Sequence, residues 1–125
     1  MKLYNTHYTD ASGLNVMNVS TASELVKIVI EASKYPEIVE ASKTSQGKIE
    51  RSTKKKKKHY YIYNNTNPLV STYDFVVSKT GYIRASGGCI VMMLNTKIGQ
   101  RIVVLLNSKN THTRIPEAQK LALAY

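Results

Sequence analysis

A single cysteine, three prolines, one phenylalanine and no tryptophan among 125 residues set the first limits on this chain. Cys89, being alone, excludes an intrachain disulfide. It falls inside the apolar run Cys89-Ile90-Val91-Met92-Met93-Leu94, where a buried, inert thiol is the expected state. No apolar run approaches the roughly 18 residues that a membrane-crossing helix requires, so no transmembrane segment is expected. Met1-Lys2-Leu3-Tyr4-Asn5 leads straight into polar residues with no apolar core, so nothing reads as a secretory signal. As written, the chain is expected in the cytoplasm. His59 and His112 have no partner at metal-ligand spacing, and neither a metal nor another cofactor is expected. Internal repeats are absent too, and the length suits one domain with a modest core.

Acidic residues are also scarce, eight against 18 Lys and Arg, and the resulting charge of +10 is concentrated. Residues 43–58 hold Lys43, Lys48, Arg51 and Lys54 to Lys58 against Glu50 alone, a local net of +7. A five-lysine run can neutralise nucleic-acid phosphates without sequence preference, or draw a chain to an anionic surface. It can equally be a solvated, self-repelling loop between a helix and a strand. The aromatics that follow, His59-Tyr60-Tyr61-Ile62-Tyr63, alternate like a strand, and nothing else resembles a nucleic-acid module, so no specific nucleic-acid partner is expected.

Thr21-x-x-Glu24 has the form of a capping box, and Leu25, Val26, Ile28, Val29, Ile30 and Ala32 then give a helix a broad apolar face until Pro36 halts it. Pro36 starts a short second helical turn with Glu37 to Ala41. Strands are expected at Tyr60 to Tyr63, Phe75 to Ile83, Cys89 to Leu94 and Ile102 to Leu106, all rich in β-branched and aromatic residues. Asn95 to Gln100 is a hairpin-length connection containing a glycine, and Gly87-Gly88 reads as a tight turn. Arg114 to Ala124 has a helical pattern, with Pro116 near its start. A helix, an antiparallel meander and a closing helix make an α+β domain.

Within the meander, Lys79-Thr80-Gly81 sits on one apolar strand that runs on to a second. Its surroundings give the triplet meaning. They are, in order, Asn5-Thr6-His7-Tyr8 with Ser12-Gly13-Leu14, Asn18-Val19-Ser20-Thr21-Ala22 opening a helix, Tyr35-Pro36-Glu37-Ile38 closing it, and Asn65-Thr66-Asn67-Pro68-Leu69-Val70 ahead of the triplet. Taken together they resemble the serine-type D-alanyl-D-alanine carboxypeptidase and endopeptidase family, whose members are penicillin-binding proteins. The likeness covers nearly the whole chain and implies part of a β-lactamase/transpeptidase-like fold, and for the intact family a periplasmic or cell-envelope location, against the cytoplasmic one expected of the sequence as written. In that family a nucleophilic Ser-x-x-Lys, a Ser-x-Asn and a Lys-Thr-Gly meet in one cleft.

By resemblance, the Lys79 strand holds the D-Ala-D-Ala end of a peptidoglycan muropeptide along its edge. Lys79 then supplies positive charge, the Thr80 hydroxyl binds the terminal carboxylate, and Gly81 lets substrate approach the backbone. The Tyr82 N–H is one oxyanion donor, the other being the N–H of the nucleophilic serine. Arg114 falls where family members that trim D-alanine place a carboxylate-binding arginine, although a plain surface arginine is an equal alternative. The nucleophile helix and Ser-x-Asn loop of the family lie upstream of the Asn-Thr-His-Tyr-like segment, so both are expected to be missing here, with a separate N-terminal half as a possible partner. Ser45-Gln46-Gly47-Lys48 and Ser52-Thr53-Lys54-Lys55 fit Ser-x-x-Lys, and Ser108-Lys109-Asn110 fits Ser-x-Asn. With 11 Ser and 14 Lys, about one chance Ser-x-x-Lys is expected, and both lie in a polar stretch. His7, Asp10 and Ser12 are triad residue types, but nearness in sequence does not make a triad. Three readings follow: the C-terminal half of such a peptidase, inactive alone; half of a split hydrolase; or a basic nucleic-acid- or membrane-binding protein reusing the fold.

Overall fold

In a computed structural model the described residues are 1–52 and 58–124. Helix α1 (Ala22–Ala32) and helix α2 (Pro36–Lys43) come first, followed by a two-stranded hairpin, β1 (Gln46–Ser52) with β2 (Lys58–Asn64). A 3-10 turn at Pro68–Ser71 leads into an antiparallel meander of β3 (Phe75–Ile83), β4 (Gly87–Thr96) and β5 (Gly99–Ser108). Helix α3 (Thr111–Leu123) closes the chain. The arrangement is α+β. No helix among the described residues is long and apolar enough to cross a membrane.

Alternation along the meander, shifted by a bulge between Phe75 and Val77, gives the sheet two apolar faces. One face sends Phe75, Ile90, Met92, Leu94 and Val103 against Ala118 and Ala122 of α3 and Leu69 of the 3-10 turn. The small alanines let α3 lie close to the sheet. Tyr73 meets the Phe75 ring edge-on, with centroids 6.3 Å apart. The opposite face packs Val77 and Met93 against Val29 of α1, with Val39 of α2 and Ile102 alongside. Full burial of a side chain such as Phe75 or Ile90 contributes about 1.5–3 kcal/mol each. β4 is the central strand, while β3 and β5 have no strand beyond them among the described residues.

Several boundaries differ from the sequence expectations, each for a physical reason. The Thr21 hydroxyl does accept the Glu24 N–H at 3.3 Å, but the Glu24 carboxylate turns away from the cap. It receives the N–H groups of Tyr4 and Asn5 and the Thr6 hydroxyl, at 2.5–3.1 Å, and so clamps the N-terminal segment onto α1. Residues 43–58 are not simply a loop: Lys43 ends α2, and Gln46 to Ser52 form β1, paired residue for residue with Asn64 to Lys58. The polar sequence of β1 hides this, because its pairing is set by the tyrosine strand opposite. Lys54 to Lys57 lie outside the described residues.

Helix α3 begins three residues before Arg114, since the Asn110 side chain accepts the N–H groups of His112 and Thr113 at 2.8 and 2.9 Å. This cap absorbs Ser108-Lys109-Asn110: Ser108 is buried, bonded to the Thr113 hydroxyl at 2.8 Å. Gly87-Gly88 is not the turn itself, which occupies residues 84–86. Gly87 opens β4 at φ +64°, and Gly88 clears space for α3, because a Cβ there would lie 2.5 Å from the Asn110 carbonyl oxygen.

Candidate functional site

A cleft of about 660 Å³ runs beside β3. One wall is the sheet, through Lys79 to Ile83 of β3, Cys89 to Val91 of β4, and Leu106 and Asn107 of β5. The facing wall comes from the segment before α1, which carries exposed Leu14, Val16, Met17 and Val19; Val16 and Val19 line the cleft with Tyr8. That segment is tied down at both ends, by the paired backbones of His7 and Val19 and by Glu24 beneath Tyr4 to Thr6. Asp10 accepts hydrogen bonds from the Ser12 hydroxyl and the Asn18 amide, which hold its carboxyl below the usual carboxylate range. Asp10 therefore serves the loop, and its bonded partners are Ser12 and Asn18, not His7.

The four consecutive β3 residues have distinct surroundings. Lys79 is exposed and its ammonium donates to the Thr80 carbonyl at 2.5 Å. Thr80 is buried, its hydroxyl 2.5 Å from that of Thr66. A Cβ on Gly81 would meet only the Cys89 Cβ, at an ordinary 3.8 Å, so internal packing does not demand glycine there. Tyr82 is half exposed. Asn67, 1% exposed, braces the strand from the α3 side, donating to the Ser78 hydroxyl at 2.7 Å and accepting the Leu69 N–H at 3.1 Å. The sequence gives neither Thr66 nor Asn67 a role of its own; both stand only within the Asn65-to-Val70 segment of the family resemblance.

Arg114 is not a surface residue. It is 6% exposed, and Nη1 donates to the carbonyl oxygens of Gly81 at 2.8 Å and Cys89 at 3.4 Å, while Nε is buried without a partner. It approaches β3 from the side of α3 and does not line the cleft. Ser45 is exposed ahead of β1 and does not line the cleft, and Ser52 is the last residue of β1. Cys89 is not buried as its apolar run suggested: it is half-buried and free, and it lines the cleft. Among the described residues no group of three His, Cys, Asp or Glu could hold a metal.

The family model for D-alanyl-D-alanine carboxypeptidase (Peptidase_S11) matches residues 1–110. The D-alanyl-D-alanine endopeptidase of Escherichia coli (strain K12) is 34% identical over 112 residues, covering 86% of this chain and 35% of the relative. That of Pseudomonas aeruginosa is 28% identical over 120 residues, covering 94% and 37%. Among solved structures, the Streptomyces K15 DD-transpeptidase superposes with a TM-score of 0.86 at 28% identity, over 96% of this chain and 47% of that one. The fold is therefore of the DD-transpeptidase and β-lactamase kind, and the chain spans from about a third to about half the length of the proteins it matches. From residue 1 to residue 110 the sequence fits a single family, and the chain belongs to the D-alanyl-D-alanine carboxypeptidase family of serine peptidases.

Proposed function

We propose that these residues form the substrate-binding strand and one wall of the cleft of a peptidase acting on the D-Ala-D-Ala ends of peptidoglycan, and that they bind such ends without being acylated by them. The observation carrying this reading is the edge of β3 that has no partner strand among the described residues, with Lys79 to Tyr82 in the wall of a cleft of about 660 Å³. An extended peptide adds to such an edge through main-chain hydrogen bonds. Gly81 leaves the approach open, and the Lys79 ammonium favours the terminal carboxylate. A hydroxyl offers one donor and two acceptor positions. If Thr66 donates to Thr80, the Thr80 proton is available to that carboxylate.

The Gly81 carbonyl and the Tyr82 N–H belong to one peptide unit. Arg114, bonded to that carbonyl, polarises the unit and makes the Tyr82 N–H a stronger donor to a developing oxyanion. On this reading Arg114 is a positioning residue that acts through the strand. Among the described residues no Ser-x-x-Lys lines the cleft, and on this reading the acylating Ser-x-x-Lys and Ser-x-Asn are supplied by polypeptide other than these residues. The exposed Leu14, Val16 and Val19 beside the cleft favour cover by further polypeptide, and a separately encoded half, as in a split hydrolase, is the second reading.

The test is labelling with a fluorescent penicillin beside equilibrium binding of an N-acyl-Lys-D-Ala-D-Ala peptide. The 125-residue chain should bind peptide reversibly, lose affinity as Lys79→Ala, and show no band that survives denaturation. Loss of a catalytic serine costs on the order of 10⁶ in rate in a subtilisin-type protease, so hydrolysis by the chain alone should be undetectable. A stable band abolished by Ser45→Ala or Ser52→Ala would refute the missing nucleophile. Failure to bind peptide at all would refute the role of β3.

A further inference from the structure

We infer that Thr66 is a positioning residue for the substrate carboxylate, acting through Thr80, a role that rests on β3 being the substrate strand. Thr80 is 8% exposed, and its hydroxyl lies 2.5 Å from that of Thr66, itself an exposed residue. Among the described residues the Thr66 hydroxyl bonds to Thr80 alone. The neighbours of Thr66 hold the segment. The Asn65 N–H donates to the Ser45 carbonyl at 2.8 Å and the Asn65 side-chain amide to the Thr44 carbonyl at 3.0 Å, while its side-chain oxygen accepts the Asn67 N–H at 2.9 Å. Asn67 in turn donates to the Ser78 hydroxyl of β3 at 2.7 Å. The backbone at Thr66 is thus fixed beside β3 without help from Thr66, whose hydroxyl is left for another task.

The proton count says which. A hydroxyl has one proton, and a carboxylate has acceptors only. When a carboxylate meets Thr80, the Thr80 proton must point to it, and the Thr80 oxygen is then free to accept. Thr66 supplies the donor, its own oxygen accepting from solvent on the exposed side. Were the bond to run the other way, from Thr80 to Thr66, the carboxylate would face an oxygen lone pair. Hydroxyls chained in one direction polarise one another, so the last donor, the one that faces the charge, is the one strengthened. Burial of Thr80 gives the arrangement its weight, because solvent has little access there to take the place of Thr66.

Equilibrium binding of an N-acyl-Lys-D-Ala-D-Ala peptide to the 125-residue chain tests this through a double-mutant cycle of Thr66→Val and Thr80→Val, with Thr66→Ser as the conservative variant. Thr66→Val should weaken binding about threefold to tenfold, the worth of one neutral hydrogen bond, and Thr66→Ser should restore it. In the Thr80→Val background Thr66→Val should cost nothing further, because the relay has already lost its middle member. Thr66→Val should also keep the parent melting temperature, since Asn65 and Asn67 hold the segment. Equal weakening in both backgrounds, or a lowered melting temperature, would make Thr66 a structural clasp and overturn the inference. Peptide binding by the parent that Thr66→Val leaves intact overturns the inference alone, whereas a parent chain that binds no peptide overturns the reading of β3 and the role of Thr66 with it.

Discussion

Two glycines on neighbouring strands separate stability from function in this fold, and substitution of each by alanine has an opposite expected effect. At Gly88 an added methyl would stand 2.5 Å from the Asn110 carbonyl oxygen, 3.1 Å from its carbonyl carbon and 3.2 Å from the Arg114 Cβ. The first two are backbone atoms at a helix start fixed by the Asn110 cap, so they cannot rotate aside. Helix α3 must move off the sheet, loosening Ala118 and Ala122 from their contacts and drawing Arg114 from the Gly81 carbonyl. Overpacking of this kind costs about 1–3 kcal/mol, which for a chain of this size lowers the melting temperature by about 3–15 °C. At Gly81 the methyl would meet only the Cys89 Cβ at 3.8 Å. Neither glycine has a positive φ, so alanine can adopt both backbones. Gly81→Ala should therefore match or slightly exceed the parent in stability, by up to about 1 kcal/mol through lost unfolded-state freedom. It should nevertheless weaken peptide binding at β3. Thermal melts followed by circular dichroism, with peptide titrations on the same samples, decide the matter. A Gly88→Ala chain as stable as the parent would mean that α3 is not held where its cap places it, and a large loss of stability in Gly81→Ala would refute the argument that packing leaves that position free.

Acid should loosen the N-terminal segment. The Thr6 hydroxyl and the Asn5 and Tyr4 N–H groups hold the Glu24 carboxyl below its ordinary 4.5, so its contribution is full above that value and disappears as pH falls through the lower folded-state value. Melting temperature should drop over that window, and Glu24→Gln should flatten the dependence; an unchanged slope would show that the clamp is not the titrating element. Asn67→Ala removes both the bond to Ser78 and the cap on Leu69, and should cost about 2 kcal/mol in urea unfolding, against no measurable change if ordered water takes its place. The outer edge of β5 has no strand beside it among the described residues, so the isolated chain should self-associate on size-exclusion chromatography. A cooperatively melting monomer would show that this edge is protected.

What could be read in the sequence was whatever one stretch of chain decides alone. Phe75 to Ile83 is rich in β-branched and aromatic residues, so its strand boundaries were visible, but the bulge that sends Phe75 and Val77 to opposite faces was not. The hydrophobic centres of β4 and β5 were visible too, but each strand continues into polar residues at both ends, where only the neighbouring strand keeps it extended. β1 is the extreme of this. Gln46-Gly47-Lys48-Ile49-Glu50-Arg51-Ser52 has no strand signal beyond one isoleucine, and it exists as a strand through its ladder with β2.

Arg114 and Glu24 show the same limit in the site. By position, Arg114 could be a carboxylate ligand or a surface residue; its actual partners, Gly81 and Cys89, lie 33 and 25 residues away in sequence. Glu24 sits where a capping box would turn its carboxylate back to Thr21, yet three donors near the N-terminus outbid that single N–H. In both cases a charged side chain is buried, and burial obliges it to take the richest set of hydrogen-bond partners within reach. Local spacing lists the candidates, but the tertiary fold determines which of them come within reach. A charged residue that ends up buried is therefore where a motif-based assignment in this fold most needs the three-dimensional partners before a role is given to it.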